Sequence, residues 1–188
     1  MEYLPQKKFA RYGPLDRYEE PPKAGMCLSA FALVQRGGLE GMLFGLPRPN
    51  KKWMSDWMSS WRSYSEEEMS AIYQEWRLPS SYLLEGEHPL KAIRRIMTGQ
   101  LGIRNFKITD SPSVFSYVSP SSWYEGNNHW DFAVVYPVTI RSAGKNGLIE
   151  NQVSRGLWRE LRFIKSKKEL RTKDFGWNAD LIKDLKLI

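Results

Sequence analysis

The fold of this chain is decided by residues 78–103, which read LPSSYLLEGEHPLKAIRRIMTGQLGI. Four apolar residues recur in this stretch at helical spacing, namely Leu90, Ile93, Met97 and Leu101. They predict a helix over residues 89–100 with one apolar face. Pro89 suits the first helical turn, where its missing N–H costs nothing, and Gly102 suits the position just past the last turn. The stretch therefore predicts one short helix with its own start and stop signals.

Candidate strands lie on both sides of this helix. Apolar or alternating runs predict them at residues 27–34, 42–46, 104–109, 113–118 and 130–140. Residues 42–46 look like a strand that returns beside residues 27–34, because Gly37 and Gly38 punctuate the chain between them. Residues 157–164 fit either a strand or a helix. The chain ends on a predicted helix that carries Leu181, Ile182, Leu185 and Leu187.

Residues 1–24 are predicted to form an extended N-terminal arm. They contain four prolines among mixed charges, namely Pro5, Pro14, Pro21 and Pro22. Proline removes a backbone donor and blocks a regular helix, so this segment is not expected to form one. The arm is either loose, or held by a partner or by the surface of the domain. The domain itself is assigned to residues 25–188.

The composition indicates one globular domain and an anionic partner. A chain of 188 residues can bury a core without disulfides or a structural metal. Its hydrophobic fraction of 41% and charged fraction of 26% are typical of soluble globular proteins. The single cysteine, Cys27, excludes an internal disulfide and a cysteine-based zinc site. The net charge of +7 favours nucleic acid or a phosphorylated ligand as partner.

The sequence carries no signal for a membrane. No apolar run approaches the roughly 20 residues that a membrane-spanning helix needs. The N-terminal sequence MEYLPQKKFARYGP has basic residues with no hydrophobic region behind them, unlike a signal peptide. The protein is therefore expected to be cytoplasmic, without a membrane partner.

Residues 78–103 resemble the sequence motif of the Nudix hydrolases. The matching residues are Leu78 and Pro79 in the lead-in, then Gly86, Glu87, Ala92 and Arg95, with Gly102 and Ile103 at the end. The spacing is kept, with eight positions from Glu87 to Arg95 and seven more to Gly102. The resemblance covers about residues 24–175. It implies an α/β fold, a Nudix-like α/β/α sandwich with a mixed β-sheet.

The resemblance also implies where a metal ion would bind, and there the chain departs from the motif. In Nudix hydrolases three glutamates on one helix face hold Mg²⁺ or Mn²⁺ against a diphosphate. The corresponding residues here are Ile96, Gly99 and Gln100. Hard cations need several carboxylate or phosphate oxygens, whereas these residues offer one neutral amide oxygen. Metal-assisted attack of water on a pyrophosphate therefore lacks its site. No metal and no other cofactor is expected.

Two charged residues of the motif are kept. The resemblance implies that Glu87 and Arg95 form an ion pair that fastens the loop to the helix, which is a structural role. No catalytic residue is assigned. A relocated metal site stays open as an alternative, and the carboxylates for it would be Glu85, Glu66, Glu67, Glu68, Glu125 and Asp131. Their ordinary interpretation is a negatively charged helix start or a solvated loop.

Positive charge is concentrated near the C-terminus. Residues 155–173 contain eight cations, namely Arg155, Arg159, Arg162, Lys165, Lys167, Lys168, Arg171 and Lys173. Only Glu160 and Glu169 oppose them, and Trp158 and Phe163 are interleaved. Cations neutralise phosphates and aromatic rings stack on bases, so the segment predicts binding to RNA or a ribonucleoprotein. A solvated basic face is the alternative.

These observations leave two main functions open. The first is a Nudix-fold protein that binds RNA, a ribonucleoprotein or a nucleotide ligand without catalysis. The second is a divergent hydrolase that cleaves a nucleoside diphosphate derivative, with Mg²⁺ or Mn²⁺ held by relocated carboxylates. A structural module unrelated to nucleotides is a third.

Overall fold

A central pair of long parallel strands organises the chain. The computed structural model describes residues 11–12, 25–37, 41–48, 74–109, 111–120, 128–140, 158–165, 169 and 178–185. The strands are β1 (Arg11–Tyr12), β2 (Gly25–Arg36), β3 (Met42–Pro47), β4 (Ser80–Tyr82), β5 (Phe106–Ile108), β6 (Ser113–Pro120), β7 (Asn128–Ile140) and β8 (Trp158–Ile164). The helices are α1 (Pro89–Arg95), a π-helical turn (Ile96–Gln100) that continues it, and α2 (Asn178–Asp184).

The main sheet is mixed. Strand β2 runs parallel to β7 over its whole length, from the pair Gly25 and His129 to the pair Arg36 and Ile140. The other pairs are antiparallel: β1 and β4 line the far edge of β2, while β5 and β6 line the far edge of β7. Strands β3 and β8 form a second, two-stranded antiparallel sheet.

The predicted partner of residues 42–46 was wrong. These residues form β3, but β3 pairs with β8 and not with β2. The far edge of β2 is already occupied by β1 and β4, and beyond β4 the carbonyl oxygen of Pro79 accepts a hydrogen bond of 2.9 Å from the N–H of Ala32. A strand has only two edges for backbone pairing, so β3 finds its partner in the last strand of the chain.

Helices cover both faces of the main sheet. Along β2 the side chains alternate, so Ala30 and Ala32 face α1 while Phe31 and Leu33 face α2. The α1-side core contains Ala92, Ile93, Ile96, Met97, Leu101, Tyr136, Val138 and Trp158. The α2-side core contains Phe44, Leu78, Val135, Leu181 and Ile182. This confirms the predicted α/β/α arrangement around a mixed sheet.

The N-terminal arm is described at one place only. Arg11 and Tyr12 form β1 and pair with Cys27 and Met26 of β2. This part of the arm therefore lies on the domain, and the other residues of 1–24 fall outside the described part of the chain. The division between an arm and a domain at residue 25 stays a prediction.

The predicted helix over residues 89–100 is regular only to Arg95. From Ile96 to Gln100 it widens into a π-helical turn, in which the N–H of Leu101 donates to the carbonyl oxygen of Ile96 at 3.2 Å. Gly99 lies inside this turn, and glycine weakens a regular α-helix. The ambiguous residues 157–164 are a strand, and the predicted strand 104–109 is shorter, at Phe106–Ile108.

Candidate functional site

The ion pair predicted within the motif is present. The Nε of Arg95 donates to the Oε1 of Glu87 at 3.0 Å, and its Nη2 donates to Oε2 at 2.8 Å. The same guanidinium also donates to the hydroxyl of Ser81 and to the carbonyl oxygen of Tyr82, each at 2.9 Å. Glu87 in turn accepts from the N–H of Leu84 at 2.9 Å. The pair thus fastens β4 and the loop after it to the helix.

The start of α1 is fixed by its cap. The Nδ1 of His88 accepts a hydrogen bond from the N–H of Leu90 at 3.2 Å, and Pro89 begins the helix. Gly86 adopts a positive φ of 67°, which only glycine adopts without strain. A tight turn can therefore form here, closed by the hydrogen bond of 2.8 Å that the N–H of Glu87 donates to the carbonyl oxygen of Leu84 just before the helix.

The three residues that the resemblance places at metal positions have different surroundings. Ile96 is fully buried, at 0% exposure, in the α1-side core. Gly99 lies at the surface, where a Cβ would meet no atom within 4 Å. Gln100 uses its amide Nε2 to donate to the carbonyl oxygen of Ser80 at 2.8 Å. Its Oε1 is buried and accepts no hydrogen bond from any described residue. These side chains do not fit a divalent cation, because only one of them carries an oxygen and that oxygen is neutral.

The space beside the end of the helix is filled by Trp158. Its indole N–H donates to the carbonyl oxygen of Gln100 at 3.2 Å, and the side chain is fully buried. On its other side the ring lies directly against Gly45, where a Cβ would come within 2.4 Å of Cε3. Sequence reasoning placed Trp158 in a basic segment and missed this role, for which its apolar neighbours are the only local signal. The indole belongs to the same buried core as Ile96.

The described part of the chain contains no carboxylate cluster for a relocated metal site. Among those residues, no three His, Cys, Asp or Glu side chains lie close enough together to hold a metal ion. Glu85 is exposed on the turn before Glu87. Residues 66–68 and Glu125 lie outside the described residues, and so does the side chain of Asp131.

Three of the eight predicted nucleic-acid-binding residues are described. Arg159 and Lys165 are exposed. Arg162 is 56% exposed, but its Nη2 pairs with the Oε1 of Glu160 at 2.6 Å and its guanidinium lies over the ring of Trp76, 5.2 Å from the centroid. The remaining five are outside the described residues: Arg155, Lys167, Lys168, Arg171 and Lys173. Part of the positive charge is therefore neutralised within the protein.

Comparisons with solved structures identify the fold. An Ap4A hydrolase of C. elegans, solved as a binary complex, is 12% identical and has a TM-score of 0.51, over 85% of this chain and 95% of that one. The NUDIX domain of Shewanella oneidensis NrtR, complexed with ADP ribose, is 12% identical with a TM-score of 0.51, over 86% of each chain. A mutT/nudix family protein of Listeria innocua is 10% identical with a TM-score of 0.52, over 85% and 91%.

The chain has a Nudix fold, as the resemblance of residues 78–103 implied. No family model matches it, and no curated protein matches its sequence. A Nudix fold whose sequence motif differs from the usual one is consistent with a structural match in the absence of a sequence match. Among the described residues, no helix is long and apolar enough to cross a membrane.

Proposed function

We propose that this chain is a Nudix-fold protein that binds RNA, alone or in a ribonucleoprotein, and does not hydrolyse diphosphates. The observation that carries the proposed absence of hydrolysis is the chemistry of Ile96, Gly99 and Gln100, the residues that the resemblance places at the three metal positions. Ile96 presents only carbon and lies in the core, Gly99 has no side chain, and Gln100 offers one neutral amide oxygen, which is buried. Since Mg²⁺ and Mn²⁺ bind through oxygen ligands, the helix offers them almost nothing.

Simple rearrangement would not supply the missing ligands. A carboxylate at the position of Ile96 would have to lie in the α1-side core, and burying an unpaired charge costs several kcal/mol. The carboxylate next to the helix, Glu87, already binds Arg95 through both oxygens. The charge that remains from the motif therefore holds the loop and is not available to a cation.

The proposed binding of RNA rests on charge. The excess of positive charge in residues 155–173 suits a phosphate backbone. Arg159 and Lys165 are exposed at the two ends of β8, where a strand of RNA has access to them. The pairing of Arg162 with Glu160 and Trp76 makes it the weakest contributor of the described three.

A nucleotide ligand is the second candidate. Its support is the fold alone, since the NUDIX domain of NrtR, which has this fold, forms a complex with ADP ribose. The divergent hydrolase is the third, and it needs carboxylates from residues outside the described part of the chain.

We expect binding to single-stranded RNA that weakens steeply as the salt concentration rises, because cations that contact phosphates release counterions. In the variant Arg159→Glu/Lys165→Glu the affinity should fall about tenfold, and the slope of log affinity against log salt should fall by about 1.4, or about 0.7 for each lost contact. Fluorescence anisotropy with a labelled oligonucleotide measures both quantities.

The matched control is Lys107→Glu/Lys183→Glu, which changes the net charge equally at exposed residues of β5 and α2. Its affinity should stay close to that of the unchanged chain. Affinity that is indifferent to salt, or no binding in dilute buffer, would contradict the RNA proposal. Equal losses in both variants would show that net charge alone is responsible.

A further inference from the structure

The helix within residues 78–103, which comprises α1 and the π-helical turn and is called the motif helix below, lies in a stretch without acidic residues. The 22 residues from His88 to Thr109 contain five cations, namely Lys91, Arg94, Arg95, Arg104 and Lys107, and no Asp or Glu. Arg95 is engaged with Glu87. The other four are exposed. The region that would carry a negative cluster in a metal-dependent enzyme is thus positive here.

Two of these cations share the outer face of α1. Lys91 and Arg94 are exposed and lie three residues apart, while Ala92 and Ile93 between them are buried in the core. Residues three apart on a helix are surface neighbours. We call Lys91 and Arg94 the cationic helix face. Arg104 is exposed just after Ile103, whose N–H donates to the carbonyl oxygen of Met97, so it follows the end of the same helix.

Lys107 lies on the opposite side of the main sheet. Its neighbours on β5, Phe106 and Ile108, pack against the α1-side core. Successive side chains of a strand point to opposite faces, so Lys107 faces away from α1. Lys183 is on α2, whose Leu181 and Ile182 pack on that other face. These two lysines therefore make a charge-matched reference for the cationic helix face.

The stability of the helix does not explain the charge of Lys91 in the cationic helix face. The first turn contains no acidic residue, and Lys91 lies there, at the end where the helix dipole disfavours a cation. Lys91 and Arg95 are four apart, a spacing at which like charges repel. Among the ion pairs of the described residues, none involves Lys91 or Arg94. Lys91 thus lies where a cation slightly disfavours the helix, whereas Arg94 lies in the last turn, where the dipole favours a cation.

The chemistry of this face fits a phosphate backbone better than a protein surface. The cores of protein interfaces are depleted of charge and rich in aromatic residues. The cationic helix face consists of two long basic side chains. Among the described residues, the exposed large hydrophobic side chain is that of Val114, which lies on β6 and not on this face. A guanidinium matches two phosphate oxygens, and an ammonium binds phosphate as a point charge.

We propose that the cationic helix face is a second contact surface for the phosphate backbone of RNA. The ligand class is that of the proposed function and rests on it, but the surface differs from residues 155–173. An RNA strand held at both surfaces gains avidity, because the second contact is made at a high effective concentration. The Nudix helix then serves polyanion binding through its outer face.

The test compares Lys91→Glu/Arg94→Glu with Lys107→Glu/Lys183→Glu, which carry the same change in net charge. A labelled single-stranded RNA oligonucleotide is titrated with each full chain over a range of salt concentrations. We expect about tenfold weaker binding and a salt slope lower by about 1.4 for the helix variant only. Circular dichroism checks folding. If charge reversal unfolds the helix, Lys91→Gln/Arg94→Gln gives the same comparison against Lys107→Gln/Lys183→Gln.

Each outcome separates this inference from the proposed function. Loss in Arg159→Glu/Lys165→Glu with unchanged binding in the helix variant would overturn the inference and leave the proposed function standing. Loss in the helix variant alone would support RNA contact at the cationic helix face, but it would overturn RNA binding at β8 and with it the two-surface arrangement. Equal losses of affinity in the helix and reference variants would overturn the inference. Displacement of RNA by polyglutamate at matched charge would also overturn it, because that result would indicate an acidic protein partner. Absence of RNA binding by the unchanged chain would overturn both.

Discussion

Replacing Arg95 with methionine should lower the free energy of unfolding by about 3 kcal/mol, the low end of the range for breaking a buried ion pair. The substitution keeps much of the side-chain volume and removes the guanidinium. Glu87, whose side chain is 8% exposed, would then lose its main partner, and Ser81 and Tyr82 would each lose a donor. Because Arg95 itself is 34% exposed, water replaces part of the loss and the effect stays at the lower end.

Arg94→Met is the matched control for this prediction. Arg94 is the preceding residue of α1, carries the same side chain and is exposed. Surface substitutions of this kind usually change stability by no more than about 0.5 kcal/mol. Glu87→Gln should fall between the two, since a glutamine oxygen still accepts from the N–H of Leu84. Urea unfolding measures the free energy of unfolding of all three variants. Equal small effects of Arg95→Met and Arg94→Met would contradict the proposed role of the ion pair between Glu87 and Arg95 in fastening the loop to the helix.

Gly45→Ala should lower the free energy of unfolding by about 3 kcal/mol, the upper part of the range for overpacking a core. The added Cβ would lie 2.4 Å from Cε3 and 2.6 Å from Cζ3 of Trp158, and 2.9 Å from Cδ2 of Leu161. The indole cannot move away freely, because it is fully buried and its N–H is bonded to Gln100. The clash would therefore separate β3 from β8 or displace the end of the motif helix.

Gly99→Ala is the same substitution without the clash. Its Cβ would meet no atom within 4 Å, and alanine is favoured over glycine in a helix by up to about 1 kcal/mol. We expect this variant to be neutral or slightly more stable in thermal and urea unfolding. Equal losses of stability in the two glycine variants would contradict the close packing of Trp158 on Gly45.

Local patterns in the sequence predicted the elements of the fold well. The apolar periodicity of residues 89–100 indicated the helix, and apolar runs indicated β2, β3, β6 and β7. Each of these signals is local, since it depends on which face of a segment is buried. The pairing of Glu87 with Arg95 followed from the resemblance of the motif, whose spacing is kept.

Other features depend on residues that meet only after folding. The pairing of β3 with β8 follows from occupied edges of β2, which no local pattern reveals. The hydrogen bonds from Gln100 to Ser80 and from Trp158 to Gln100 join separate segments. Arg162 was predicted to be free for phosphate, yet Trp76 from a distant segment lies under it. The short strand β4 at residues 80–82 carries too few residues for a periodic signal.

The central claim is that the motif helix of this Nudix fold does not hold a divalent cation. Its most direct test is a titration of the full chain with Mn²⁺, in which electron paramagnetic resonance measures the free ion. In the same buffer, turnover is assayed with ADP-ribose, a dinucleoside polyphosphate and a nucleoside triphosphate. With Ile96, Gly99 and Gln100 at the metal positions, we predict that the free-ion signal equals that of protein-free buffer at each concentration up to millimolar Mn²⁺. We also predict that no hydrolysis product forms. One Mn²⁺ bound per chain, with release of a hydrolysis product and loss of both in Glu85→Gln, would contradict the claim and establish a hydrolase with relocated ligands.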